Sequence, residues 1–195
     1  MPMGLGKFET YEMMEYSIKD FLIHGIKPEN NNGLFKIKSN DKIFYWLGDS
    51  NRIDLAVELY VKPEGLVVTV TGKSPKLKGK PPFASDLYSA ILKDSSQNIR
   101  IISDDQLSDE GFSIWKRMVQ LGHKVSVYDA DEPGKTFQSF ERPEELEDFF
   151  KNDDTDFRRY RYILSEEIMS YLSMRSSFRL RLFREGVPGM ALTDY

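Results

Sequence analysis

Three groups of side chains in this 195-residue sequence have the types and spacing to do chemistry. The first is a basic, bent segment. Gly72–Pro82 reads GKSPKLKGKPP, with five glycine or proline positions and four lysines in eleven residues. It lies between an apolar, β-forming run and a helix-like pattern. Such junctions hold anions, because the first amides of a helix lack intrahelical partners and the dipole end there is positive. Lys76, Lys78 and Lys80 add charge, and Gly79 lets a backbone approach a ligand closely. The same composition also describes a solvated surface loop. The second group is acidic. Asp54 and Glu58 share one side of an alternating stretch with Tyr60, and carboxylates so placed can serve as general bases. An ordinary wet sheet face has the same pattern.

The third group is C-terminal. After Lys151 there is no lysine but there are seven arginines, at 158, 159, 161, 175, 179, 181 and 184. Tyr160 and Tyr162 interleave with Arg158, Arg159 and Arg161. Arginine with tyrosine suits phosphate or single-stranded nucleic acid, and it suits a protein partner equally. Seven acids between 153 and 195 balance the charge, so intramolecular pairing is a third reading.

Other chemistries are excluded or weak. Cysteine is absent, which removes disulfides, thiolate nucleophiles and Cys-ligated metals, and points to an intracellular, cytoplasmic protein. Only His24 and His123 are present, so no multi-histidine metal site is expected, and His123 reads as a helix-end residue. Ser103–Glu110 (SDDQLSDE) carries four acids but lacks EF-hand spacing. It reads better as a capping loop, with Asp105 or Ser108 as the N-cap. Neither a P-loop nor a dinucleotide fingerprint occurs. Net charge −4 argues against a generic duplex binder. No apolar run approaches the ~20 residues of a membrane span.

The elements that would position these groups can be read from periodicity. Residues 1–12 look like a loose leading segment. Met14, Ile18, Phe21 and Leu22 predict a helix over Met13–Ile26, ended by Gly25 and the asparagine-rich stretch to Gly33. Strands follow around Phe35–Ile37 and Lys42–Leu47. The alternation over Ile53–Val61, the turn Pro63-Glu64-Gly65 and the run Leu66–Thr71 predict a hairpin with one buried and one wet face. Next come a helix from Ala84 to about Lys93, a strand Ile99–Ile102, a helix Phe112–Leu121 ended by Gly122, and a strand Lys124–Tyr128. Pro143-Glu144-Glu145 opens a further helix. Arg158–Leu164 is strand-like, and Ser165 suits the N-cap of a last helix. Phe178–Leu182 fits strand or helix, and Glu185–Tyr195 reads as a loose tail. With 40% hydrophobic residues and no long linker, this describes one α+β domain with a mixed, mostly antiparallel central sheet flanked by helices.

That order resembles the GNAT acyltransferase superfamily over roughly residues 34–130. There, an antiparallel meander feeds a strand, then a loop of the form (Arg/Gln)-x-x-Gly-x-(Gly/Ala), then a helix. Lys76-Leu77-Lys78-Gly79-Lys80-Pro81 stands at the corresponding place. The resemblance implies acyl transfer from acetyl-CoA or another acyl-CoA to an amine. It further implies that the loop through Ala84 cradles the pyrophosphate. Glu58, or water beside it, would then deprotonate the acceptor. Lysine replaces the first Arg/Gln, Pro81 has no N–H to donate, and Trp115 falls near a tyrosine that in many of these enzymes protonates the leaving thiolate. The alternative is a non-catalytic protein of the same fold. It would bind a protein partner, or less favourably nucleic acid, through Arg158, Arg159, Tyr160, Arg161 and Tyr162.

Overall fold

The computed structural model describes residues 7–94, 99–132, 139–151 and 158–165. The expected last helix, the Phe178–Leu182 segment, the tail and Arg175, Arg179, Arg181 and Arg184 lie outside them. The described chain runs α1 (Lys7–Ile23), β1 (Glu29–Asn31), β2 (Leu34–Ser39), β3 (Lys42–Gly48), β4 (Ile53–Lys62), β5 (Gly65–Lys73), α2 (Ala84–Asp94), β6 (Arg100–Ile102), α3 (Asp109–Gln120), β7 (Lys124–Asp129), α4 (Pro143–Lys151) and β8 (Tyr160–Ser165). Eight strands form one sheet in the order β1-β2-β3-β4-β5-β6-β8-β7. Every neighbouring pair is antiparallel except β5 and β6. The fold is α+β, as the strand-first, helix-later pattern predicts. Among the described residues no helix is long and apolar enough to cross a membrane.

Both faces of the sheet are covered. On one, Leu34, Ile43, Tyr45, Leu55, Val57 and Leu59 pack with Leu87 of α2, Trp115 of α3 and Leu146 of α4. On the other, Phe35, Ile37, Phe44, Trp46 and Ala56 pack with Tyr11, Met14 and Ile18 of α1. The wet face expected for the β4 hairpin is therefore corrected: α1 lies across it. The five consecutive apolar residues Ile43–Leu47 supply side chains to both faces, as a strand buried on both sides must.

α1 also begins at Lys7, not Met13. The Tyr11 hydroxyl donates to the Ile53 carbonyl at 2.6 Å, which ties the early turns to β4. Gly72 allows that approach. A Cβ there would lie 2.7 Å from Met14 Cε and 3.1 Å from Tyr11 Cα. Gly72→Val should push α1 off the sheet and lower stability by about 3 kcal/mol, the upper range for overpacking. Urea unfolding followed by Trp46 fluorescence would measure it, and an unchanged midpoint would contradict this packing.

Local sequence accounts for the remaining boundaries. Asn32 and Gly33, at φ 50° and 87°, turn the β1–β2 hairpin, in a stretch whose composition predicts only the end of the first helix. Ser108 is the N-cap of α3, its hydroxyl accepting from Gly111 N at 3.1 Å. Gly122, at φ 82°, closes the helix. The segment expected to be irregular from Gly72 is regular at its start: β5 continues to Lys73, and Pro75–Leu77 forms a 3₁₀ turn.

Candidate functional site

The parallel pair β5/β6 is short. It joins only Leu66 to Ile101 and Val67 to Ile102. Among the described residues, β5 continues through Val68–Lys73 paired to β4 alone. Past Ile102 the chain stays with β8: Ser103 N donates to Tyr162 O at 2.9 Å, and Ser103 Oγ accepts from Tyr162 N at 3.0 Å. The two strands thus part at their carboxyl ends. In open α/β sheets, ligands bind in the crevice outside the carboxyl ends of the strands.

On the α2 face beside this divergence the core is rich in buried aromatic residues. Thr71 Oγ1 and Tyr88 OH are hydrogen-bonded at 2.9 Å. Tyr88 meets Trp115 edge-on at 6.1 Å, and Trp115 lies 6.0 Å from Tyr162. Burial pushes the Tyr88 phenol well above its ordinary value, so it stays protonated across the physiological range. Trp115 is 1% exposed and belongs to the core.

Asp104 follows at the carboxyl end of β6 and is half-buried. Burial first, and then the charge of Asp105, push its carboxyl up to about 6. Arg161 and the amides of Gln106 and of Asp104 itself pull the other way and do not cancel the rise. In the sequence alone Asp104 reads as one more acid of the capping loop Ser103–Glu110. Its one signal is position, an acid two residues past the apolar pair Ile101-Ile102.

The basic loop sits at the end of β5. Lys76, Lys78, Gly79 and Lys80 are exposed. None of the three lysines forms an ion pair among the described residues. Their backbone is less available. Leu77 N, Lys78 N and Lys80 N donate to Ser74 O, Pro75 O and Leu77 O at 2.9, 3.3 and 3.0 Å. Gly79, at φ 72° with open space around it, and Ala84 keep amides outside that internal bonding. The Lys73 ammonium donates to Lys80 O and lies 4.8 Å above the Phe83 ring. At the start of α2, Asp86 Oδ2 accepts from Phe83 N at 2.7 Å, so the helix is capped by its own carboxylate.

Glu58 lies elsewhere. It pairs across strands with Phe44 and Val70, on the α1 face, whereas Thr71 and Lys73 belong to the α2 face with Tyr88 and Phe83. The structure thus puts the basic loop and Glu58 on opposite sides of the sheet. The Glu58 carboxylate is 2.8 Å from the Lys42 ammonium, and Asp54 is 3.0 Å from Arg52.

The arginine–tyrosine motif is occupied within the chain. Arg158 donates to Phe150 O at 2.8 Å and to Leu107 O at 3.3 Å, and stacks 3.8 Å from the Phe150 ring. Arg159 grips Asp129 through Nε and Nη2, the Nε bonds being 2.8 Å, with Asp131 and Glu132 close by. Arg161 donates to Arg158 O and lies 3.8 Å from Asp105. Tyr160 meets Phe149 edge-on at 5.3 Å, and Tyr162 is buried. His123 Nε2 is 3.0 Å from Ser89 Oγ, and His24 is exposed beside Asp20. No cluster of metal-ligating side chains occurs among the described residues.

These features define a class: a three-layer α+β domain whose sheet opens between one parallel pair beside an exposed basic loop. No family model matches the chain, and no curated protein and no solved structure matches it significantly.

Proposed function

We propose that the chain is an acyl-CoA-dependent N-acyltransferase with the GNAT-like architecture to which its element order bears a resemblance. One observation carries the reading. β5 leaves its parallel partner after two residues and runs on to an exposed loop carrying three lysines free of ion pairs among the described residues. The peptide edge of Val68–Lys73 that faces away from β4 offers donors and acceptors to an extended chain. The pantetheine arm of an acyl-CoA is such a chain, with two amides. Lys76, Lys78 and Lys80, with the amides of Gly79 and Ala84, would receive its diphosphate. Three inward-bonded amides, Pro81 and the Asp86 carboxylate weight that recognition towards lysine side chains rather than a peptide cradle. Docking of a protein through Arg158–Tyr162 has less support, because those side chains already serve the fold.

A thermal-shift titration tests this. A ligand selective for the folded state stabilises it by about 2.7 kcal/mol at a hundredfold excess over Kd. For a chain of this size that raises Tm by roughly 5–10 °C. Acetyl-CoA should produce that rise, and K78E with K80E should remove most of it. A melting curve unmoved by saturating acetyl-CoA would overturn the proposal.

A further inference from the structure

We infer that Asp104 is the proton acceptor of this transfer, taking a proton from the ammonium of an incoming primary amine at the carboxyl end of β6, where β5 and β6 part. The inference rests on the reading just given and adds the residue that activates the acceptor.

Position is the first support. Asp104 is the second residue beyond β6, past the carboxyl end of the parallel pair, and it is at strand carboxyl ends that open sheets bind ligands. It is held firmly on both sides. Two Ser103–Tyr162 hydrogen bonds fix the preceding residue, and Arg158 N donates to Asp105 O at 2.6 Å behind it. A base must be held this way to meet a substrate repeatedly in one geometry. The charged and titratable surroundings form the second support. Asp105 lies on the same loop, Arg161 comes from β8 and the Tyr88 phenol from α2. Burial and the Asp105 charge outweigh Arg161, so the carboxyl is ionised at neutral pH yet more basic than an ordinary aspartate, which suits a general base. Glu58 competes poorly, because the Lys42 ammonium already holds its carboxylate.

The step balances without a further reactant. The ammonium passes one proton to Asp104, and its freed lone pair attacks the thioester carbonyl carbon. A C–N bond forms, and the C–S bond breaks with its electron pair going to sulfur. The nitrogen loses its second proton to water, the thiolate is protonated from water, and Asp104 returns its proton to solvent. The net products are an amide, a free thiol and one proton.

The test measures release of free thiol from acetyl-CoA by the full chain, with water alone and with lysine, spermidine and ethanolamine as amine probes, across about pH 5–8. Wild type should show kcat/KM rising through about pH 6. Asp104→Asn should lose about 10²-fold or more and show no such rise, while keeping the acetyl-CoA thermal shift. A variant with the wild-type rate and profile overturns the inference and leaves the transferase reading standing. So does a wild-type rate that ignores pH near 6, a measurement independent of how the variant folds. Loss of the acetyl-CoA shift in the variant would make Asp104 a binding residue and also overturns it. If wild type neither shifts nor releases thiol, both proposals fail together.

Discussion

Trp115→Ala should unfold at markedly lower urea, with a loss of about 3–5 kcal/mol, the usual cost of truncating a buried aromatic. The reason lies in α3. Phe112, Trp115, Met118 and Val119 recur at helical spacing and form its buried face. Trp115 is the largest of them and joins Tyr88 of α2 to Tyr162 of β8 through ring contacts. Its removal leaves a void between three elements that cannot all close on it. A domain with about 5–15 kcal/mol in total has little margin for such a loss. Trp115→Phe should cost much less, since it keeps a ring in place. Equilibrium unfolding by far-UV circular dichroism would measure both. A truncation as mild as a surface substitution would show that the indole is not in the core.

Asp104→Asn should have the opposite effect, in a defined pH window. The carboxyl titrates at about 6 in the folded chain, against 3.8 for an unperturbed aspartate. The folded state therefore holds this proton more tightly than the unfolded state does. The stabilising contribution of that proton is fully present below about pH 4 and is lost as pH rises through about 6. Asparagine has no charge to bury and avoids the loss. At about pH 7.5 the variant should be the more stable protein by up to about 3 kcal/mol. At about pH 4 the two should be equal. Denaturant midpoints at the two pH values would decide it, and a variant less stable than wild type at pH 7.5 would refute this account of the site. A carboxyl whose replacement strengthens the fold is one kept at a cost to stability.

Much of this architecture is legible in the residues. Alternation over Ile53–Val61 locates β4, and the Pro63-Glu64-Gly65 turn locates its hairpin. The stop at Gly122 and the start at Pro143 follow from backbone preferences alone. What stays hidden is mostly long-range. Asp54, Glu58 and Tyr60 alternate with apolar residues as a wet face would, yet Ala56 between them lies under α1. The stronger clue was Ile43–Leu47, too continuously apolar for a strand with one solvated side. Local pattern says nothing about how long two parallel strands stay paired, so the parting of β5 from β6 is invisible before the chain folds. The same holds for Asp104, whose proton affinity is set by residues far away in sequence. The basic loop was legible as a feature. The inward turn of three of its amides was not, because it depends on the 3₁₀ turn that Pro75 starts.

One consequence concerns the outer rims of the sheet. β1 offers only Glu29, Asn30 and Asn31, all exposed and polar, and at the far side Phe140 N donates to Val125 O at 3.0 Å across the edge of β7. A foreign strand seeking backbone partners meets a three-residue polar stub at one rim and an occupied carbonyl at the other. Chains crowded together are thereby discouraged from zipping edge to edge.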